Sequence, residues 1–335
     1  MVESSDHYVP ILKSKTAELN ALSHLTPLEK ARVTPLIEIL GDQVSSEEKL
    51  KNFAKKVVNS FGSNDPVFVD VSLIETKKAI LDQTKSAGLK VIPVVSQHDE
   101  AAYHKLIRPF ERACLRLDVD RLFSDQPPCN IPSLLEQLNK KATDIDLIID
   151  FGPIQHRSAP RNAELAKVLL GQLPFLDEWR SVFVSATSFP TDLSSLQKDT
   201  ALTIPREDWH MFLRLRSSTK MPVIGFSDYA IQHPNLVEID PRIVSISTQL
   251  RITQKDDWLL IKGRSTKTEG FEYIRKVCRK AIHEAKPPPN ADFCWGDKFI
   301  LECASGDAGT GNATTWRQAG FSRHFAIVLS QLAEL

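Results

Sequence analysis

The sequence predicts an α/β protein: a (β/α)8 TIM-type barrel with a β-hairpin inserted after the eighth strand and a C-terminal extension. Two observations carry this. Eight short apolar, β-branched runs alternate with segments of helical periodicity, and strands separated by helices need crossover connections, hence a parallel sheet that can close. The 335 residues hold a barrel of roughly 250 residues with chain to spare. The competing arrangement is an open doubly wound sheet, but no G-x-G-x-x-G turn follows the first run.

The predicted strands are residues 8–12, 35–40, 67–72, 91–96, 113–119, 147–151, 182–187 and 222–226. Helical periodicity falls between them at 47–58, 75–87, 131–141, 163–170 and 207–216. Thr26 with Pro27 and Glu29, and Ser45 with Glu48, have the spacing of helix starts. Beyond the eighth strand, 244–253 and 258–262 predict the hairpin, with 254–257 as its turn. Residues 269–284 predict the eighth barrel helix, and Pro287-Pro288-Pro289 then breaks the chain. In the tail, 293–304 reads as a strand, 305–315 as a glycine-rich loop and 316–332 as an amphipathic helix whose Phe321, Phe325, Val328, Leu329 and Leu332 share one face. The expected division is a barrel over 1–286, hairpin included, with an extension over 287–335 packed on it as one structural domain.

Lysine plus arginine and aspartate plus glutamate both number 42, which argues against broad electrostatic attraction to nucleic acid or anionic membrane. Residues 1–6 are polar and acidic, unlike a signal peptide, and no apolar stretch approaches membrane length. The five cysteines show no C-x2-C spacing and read as reduced thiols. The expected location is the cytoplasm.

Chemistry gathers at the C-terminal ends of the strands, the face that carries the active site in barrel enzymes. Side chains alternate along a strand. With Val67, Val69 and Val71 facing helices, Asp70 points inward; with Leu115, Leu117 and Val119 outward, Arg116, Asp118 and Asp120 point in. Glu38 shares parity with Leu36, and Asp150 with Ile148. Four carboxylates then face one guanidinium, and buried charge of one sign must be neutralised. A divalent metal (Mg2+ or Mn2+) on Glu38, Asp70 and Asp118 would do so, as would protonation, a cationic substrate, or Lys13 and Lys15 after the first strand. The catalytic candidates are Asp70, Arg116, Asp118 and Asp150. The plain structural alternative is an ion-pair network with Arg116 clamped between Asp70 and Asp118.

Ser185, Thr187 and Ser188 end the seventh strand, and Ser227, Asp228 and Tyr229 follow the eighth. Hydroxyls there can bind phosphate or cap the next helix, and capping is the reading for Ser188 alone. His98 follows the fourth strand as an acid–base candidate or an ordinary loop residue. The glycine-rich stretch from Gly306 to Asn312 can bind an anion with backbone N–H groups or simply turn the chain, and it lacks the Gly-Lys-Ser/Thr ending of a P-loop. The tail is expected to cover the barrel and bring Trp295, Asp297, Trp316 and Arg317 to the mouth. With Lys13, Ser185, Ser188 and Asp228, these are the substrate-binding candidates.

Tyr8-Val9-Pro10-Ile11-Leu12-Lys13-Ser14-Lys15, Glu18, Ala21-Leu22 and Thr34-Pro35-Leu36-Ile37-Glu38-Ile39 resemble the bacterial and phage-associated Beta protein family. So do Cys294-Trp295-Gly296-Asp297, Gly309-Thr310-Gly311-Asn312, Thr314-Thr315-Trp316-Arg317 and Arg323-His324, the last standing where the family pattern has two histidines. The resemblance implies a phage-linked, anti-phage defence role and no particular reaction. Two functions follow as expectations. One is metal-assisted hydrolysis or lysis of a phosphate-bearing small molecule or nucleotide; the other is a non-catalytic sensor or adaptor that binds a phage protein or the product of a neighbouring defence gene.

Overall fold

The computed structural model describes residues 6–41, 44–124, 129–218, 223–235 and 246–335. Of the sequence expectations, residues 1–5, Pro222, and Val244 and Ser245 of the hairpin lie outside the described residues. Eight parallel strands close a barrel: β1 (Tyr8–Lys13), β2 (Leu36–Glu38), β3 (Pro66–Asp70), β4 (Lys90–Ser96), β5 (Ala113–Asp118), β6 (Ile145–Pro153), β7 (Ser181–Thr187) and, after an excursion, β9 (Gly225–Asp228). β9 pairs with both β7 and β1, so the sheet has no free edge. The excursion is β8 (Thr200–Pro205), which leaves the barrel to join an antiparallel three-stranded sheet, β10 (Ser247–Thr253), β11 (Asp257–Ser265), β8.

Helices follow in chain order. The crossovers hold α1 (Thr16–Leu22), α2 (Pro27–Lys30), α3 (Glu47–Phe61), α4 (Lys77–Ser86), α5 (Ala101–Ile107), α6 (Val119–Ser124), α7 (Ile131–Leu138), α8 (Ala159–Gln172) and α9 (Glu207–Arg216). The C-terminal third adds α10 (Thr266–Glu269), α11 (Ile274–Glu284), α12 (Trp295–Ser305) and α13 (Ala313–Ala333). Thr26 caps α2 through the expected reciprocal bonds with Glu29. At α3 the cap is Ser46, accepting from Lys49 N, and not Ser45, which lies one residue too early.

Strand alternation separates two layers of apolar packing. Val9, Ile11, Leu36, Phe68, Ile92, Val94, Cys114, Ile148 and Phe183 fill the barrel interior. Their neighbours on the strands, such as Val67, Val69, Leu115, Leu117, Leu147 and Ile149, join the larger core beneath the helices.

The tail differs from expectation in two ways. The helix expected to be the eighth of the barrel, α11, packs through Ile274, Val277, Cys278 and Ala281 on Leu250, Ile252, Leu259 and Ile261 of the small sheet. The barrel's last flank is covered by α13, whose Phe321, Phe325, Val328, Leu329 and Leu332 join the barrel core with Tyr8 and Phe226. Periodicity shows that a helix has an apolar face; it does not show which surface that face meets. The predicted strand over 293–304 is the helix α12, with Phe299, Ile300, Cys303 and Ala304 buried at helical spacing and Cys294 Sγ accepting from Asp297 N at the cap. The glycine-rich stretch is the turn between α12 and α13. Gly306 takes a left-handed φ of 102°, and the Asn312 side chain caps α13 by accepting from Thr314 N and Thr315 N.

Candidate functional site

Arg116 stands two residues before the end of β5, and it organises the floor of the barrel mouth. Its Nη1 donates to Glu38 Oε1 at 2.8 Å and Asp70 Oδ2 at 3.0 Å; its Nε donates to Asp150 Oδ2 at 2.8 Å; its Nη2 donates to the Tyr229 hydroxyl at 2.7 Å. Tyr229 in turn donates to Asp150 Oδ2 at 2.6 Å. Lys13, at the end of β1, pairs with Glu38 Oε2. Five strands thus deliver two cations and three carboxylates to one layer, with Tyr229 just beyond a sixth.

Register explains the convergence. Lys13 pairs with Glu38 across β1 and β2, and Glu38 with Asp70 across β2 and β3, so three strand ends stand side by side. Tyr229 continues the inward parity of Gly225 and Ser227. The chain turns directly after it, with Ala230 at φ 54° and its N–H donated to Asp228 Oδ1.

The electrostatics follow from burial. Burial alone would discharge Arg116, yet Tyr229, Asp150, Glu38 and Asp70 outweigh it and hold the guanidinium charged, well above its ordinary range. Burial would raise the Glu38 carboxyl, but Arg116 and Lys13 reverse the sign and lower it below its ordinary value. Burial, reinforced by Asp150 and Glu38, keeps the Tyr229 phenol protonated despite Arg116.

Above this floor lies a cavity of about 1700 Å³. Its walls carry nine carboxylates (Glu38, Asp70, Glu75, Asp82, Asp99, Glu100, Asp118, Asp120, Asp150) against five lysines and arginines (Lys13, Lys77, Lys78, Arg116, Arg121). The surroundings are therefore acidic. His98 is on the same wall.

A divalent metal on Glu38, Asp70 and Asp118 does not fit this arrangement. Both Glu38 oxygens accept from cations, Asp70 Oδ1 accepts from Ser72 N at 2.9 Å, and Asp150 Oδ1 accepts from Gly152 N at 2.9 Å. All six oxygens of Glu38, Asp70 and Asp150 have protein partners. Asp118 stands higher on the same cavity: its side chain is 52% exposed on the rim, accepts from Arg121 N at 3.1 Å, and takes no part in the Arg116 clamp. β5 ends at Asp118 and α6 begins, which also puts Asp120 on an exposed helical position. Among the described residues, no group of three or more His, Cys, Asp or Glu is placed to hold a metal ion.

The remaining candidates separate. Ser185 faces inward, fully buried, in register with Asp150 and Ser227, and neither serine hydroxyl has a hydrogen-bond partner among the described residues. Ser188 does not face the cavity; its Oγ donates to Pro205 O at 2.9 Å and accepts from Glu207 N at 3.0 Å, serving the start of α9. Asp228 has the opposite parity to Tyr229 and points out of the barrel, where Tyr8 (2.6 Å) and His324 (2.9 Å) occupy its oxygens.

None of the tail candidates reaches the mouth. Trp295 stacks on His24 at 4.3 Å, Asp297 is buried against Arg323 with both contacts at 2.6 Å, and Trp316 packs in the core of the small sheet. Arg317 lies on the α1 side of α13. The Arg323-His324 pair is internal bracing: Arg323 also donates to Thr253 O and Pro287 O, and His324 bridges Thr253 and Asp228. Tyr229, which the candidate set lacked, is found by extending inward parity two residues past Ser227.

Fold and site together define a (β/α)8-barrel protein with an acidic mouth organised around one buried arginine. More specifically, the chain belongs to the Beta protein family, whose model matches residues 8–330. No curated protein matches it significantly. No helix among the described residues is long and apolar enough to cross a membrane.

Proposed function

We propose that the barrel mouth binds a small polar molecule and transforms it by proton transfer, in a hydrolytic or eliminating reaction. The carrying observation is Arg116, fixed by carboxylates from three strands and by Tyr229 at the floor of an open cavity. Such a cluster is a poor way to gain stability, because apolar packing of similar volume generally does as well or better. A rigid charged floor instead suits electrostatic stabilisation of a reacting group.

The roles follow from freedom of movement. Arg116, held on four partners, is a stationary positive charge facing negative charge that develops on the ligand. Lys13 has one carboxylate partner and a flexible stem, so it can turn from Glu38 to the ligand as proton donor. Asp70 and Asp150 keep lone pairs for a ligand O–H or N–H. Nine carboxylates against five cations favour a cationic or hydroxyl-bearing part at this floor over a phosphate. A phage-defence setting is the cellular side of the same proposal, resting on the motif resemblance and not on the site geometry.

The test is a thermal-shift panel of amines, amino sugars, nucleosides and nucleotides, followed by turnover assays on whatever binds. A ligand at a hundred times its Kd raises stability by about 2.7 kcal/mol. Amine- or hydroxyl-rich compounds should shift the wild type, and Asp70→Asn and Asp150→Asn should lose both the shift and phage protection while staying folded. Full protection in both variants would overturn the catalytic reading in favour of a sensor or adaptor.

A further inference from the structure

A second polar cluster lies outside the barrel interior, where α1, the turn after β9, β10 and α13 meet. Glu18 on α1 is 1% exposed, and its Oε1 has no hydrogen-bond partner among the described residues. Arg251 on β10 donates from Nη1 to Ile231 O at 2.7 Å and lies 5.1 Å over the Phe189 ring, while its buried Nε has no partner among the described residues. Gln232, which follows Ile231 in the chain, has a buried Nε2 likewise without a partner among the described residues.

α13 supplies the third wall. A Cβ on Gly320 would sit 2.7 Å from Arg251 O, so α13 lies directly on this strand. Arg317 is three residues earlier, on the same helix face. Asn20 of α1 contacts Gln318 at 3.5 Å and fixes α1 beside it. The side chains of Arg317 and Lys15 make no hydrogen bond or ion pair with another described residue.

The charges sense one another without pairing. Burial, then Arg317, pushes Arg251 down to about 9, and burial raises Glu18 although Arg317, Lys15 and Arg251 act against it. Four cations, Arg317, Lys15, Arg251 and Lys56, act on one carboxyl, and two N–H donors and one carboxyl oxygen remain unsatisfied among the described residues. Leaving such groups buried without partners costs about 1 to 3 kcal/mol each.

We propose that this cluster is a binding site for a protonated phosphate, either inorganic phosphate or a phosphomonoester. The phosphate oxygens accept from Arg251 Nε, Gln232 Nε2 and Arg317, with Lys15 adding charge from the open side. The phosphate O–H donates to Glu18, a contact sulfate cannot make because it is fully deprotonated. Phosphate therefore binds here in preference to sulfate, away from the acidic mouth.

The full-length chain is titrated calorimetrically with inorganic phosphate, a simple phosphomonoester and sulfate at constant ionic strength. Phosphate or the phosphomonoester binds and sulfate does so more weakly; whichever of the first two binds tighter identifies the source. Arg317→Ala weakens phosphate at least about tenfold, and Glu18→Gln narrows the preference over sulfate. Asp70→Asn, which tests the mouth, leaves phosphate binding intact. The site is overturned if neither phosphate binds the wild type, if Arg317→Ala binds it equally well, or if sulfate binds as tightly as phosphate.

Discussion

At the scale of single residues, Arg116 decides the state of the mouth. Replacing it with alanine leaves Glu38, Asp70 and Asp150 with Lys13 as their remaining cation in the clamp, and breaking a buried pair in this way costs about 3 to 5 kcal/mol. The loss depends on pH with a definite sign. The folded Glu38 carboxyl titrates below its ordinary value of 4.5, so its contribution is complete above that pH and is lost as pH falls through the folded value. In Arg116→Ala that depression is weakened, because Lys13 is left alone to oppose burial. Urea midpoints of wild type and variant should therefore differ most near pH 7 and converge as pH falls below 4.5; a constant gap would show that Arg116 acts by packing alone. Most of this cluster was legible in the sequence, because valines and leucines at alternate positions of β3 and β5 assign Asp70 and Arg116 to the interior. Asp118 keeps the parity of Arg116, but as the last residue of β5 it stands on the exposed rim of the cavity and outside the clamp, a depth that parity does not reveal. Asp228 and Tyr229 differ by one residue of parity, which puts them on opposite sides of the wall, Tyr229 on Asp150 inside and Asp228 on His324 outside.

At the scale of elements, the strands were readable and the partners of the last helices were not. β-branched runs mark the barrel strands, but β8, Thr-Ala-Leu-Thr-Ile-Pro, escaped notice: it is short, no residue in it is fully buried, and its partner β11 lies more than fifty residues downstream. α12 was mistaken for a strand because Phe299, Ile300 and Leu301 stand together, and its helical burial emerges only against α11 and α13. The α12–α13 contact also reverses an ordinary propensity. Alanine is usually favoured over glycine within a helix by about 1 kcal/mol. A Cβ on Gly296 would lie 2.1 Å from the Ala319 carbonyl oxygen, a backbone atom that cannot step aside. Gly296→Ala should lower the thermal midpoint, with a loss of about 1 to 3 kcal/mol typical of overpacking. A gain in stability would mean that α12 docks less closely.

At the scale of the whole molecule, the barrel is closed by distant parts of the chain. β1 meets β9 in the sheet, and α13 lies over that seam, with Phe325 6.4 Å from Tyr8 and His324 bonded to Asp228. Truncation after Pro289 removes α12 and α13 and uncovers Tyr8 and Phe226; with about 1.5 to 3 kcal/mol lost per large apolar side chain, the shortened chain should aggregate or unfold without cooperativity. A soluble product with a sharp urea transition would show that the barrel stands without α13. The same seam has a consequence for biosynthesis. Translation delivers β1 first and β9 much later, and the small sheet with α11 and α12 must be made before α13 arrives. Throughout that interval the nascent polypeptide holds an apolar stripe with nothing over it, the kind of surface on which chaperones act. Speed of elongation between β9 and α13 thus becomes a determinant of yield, set by a stretch of message that encodes no part of the barrel wall.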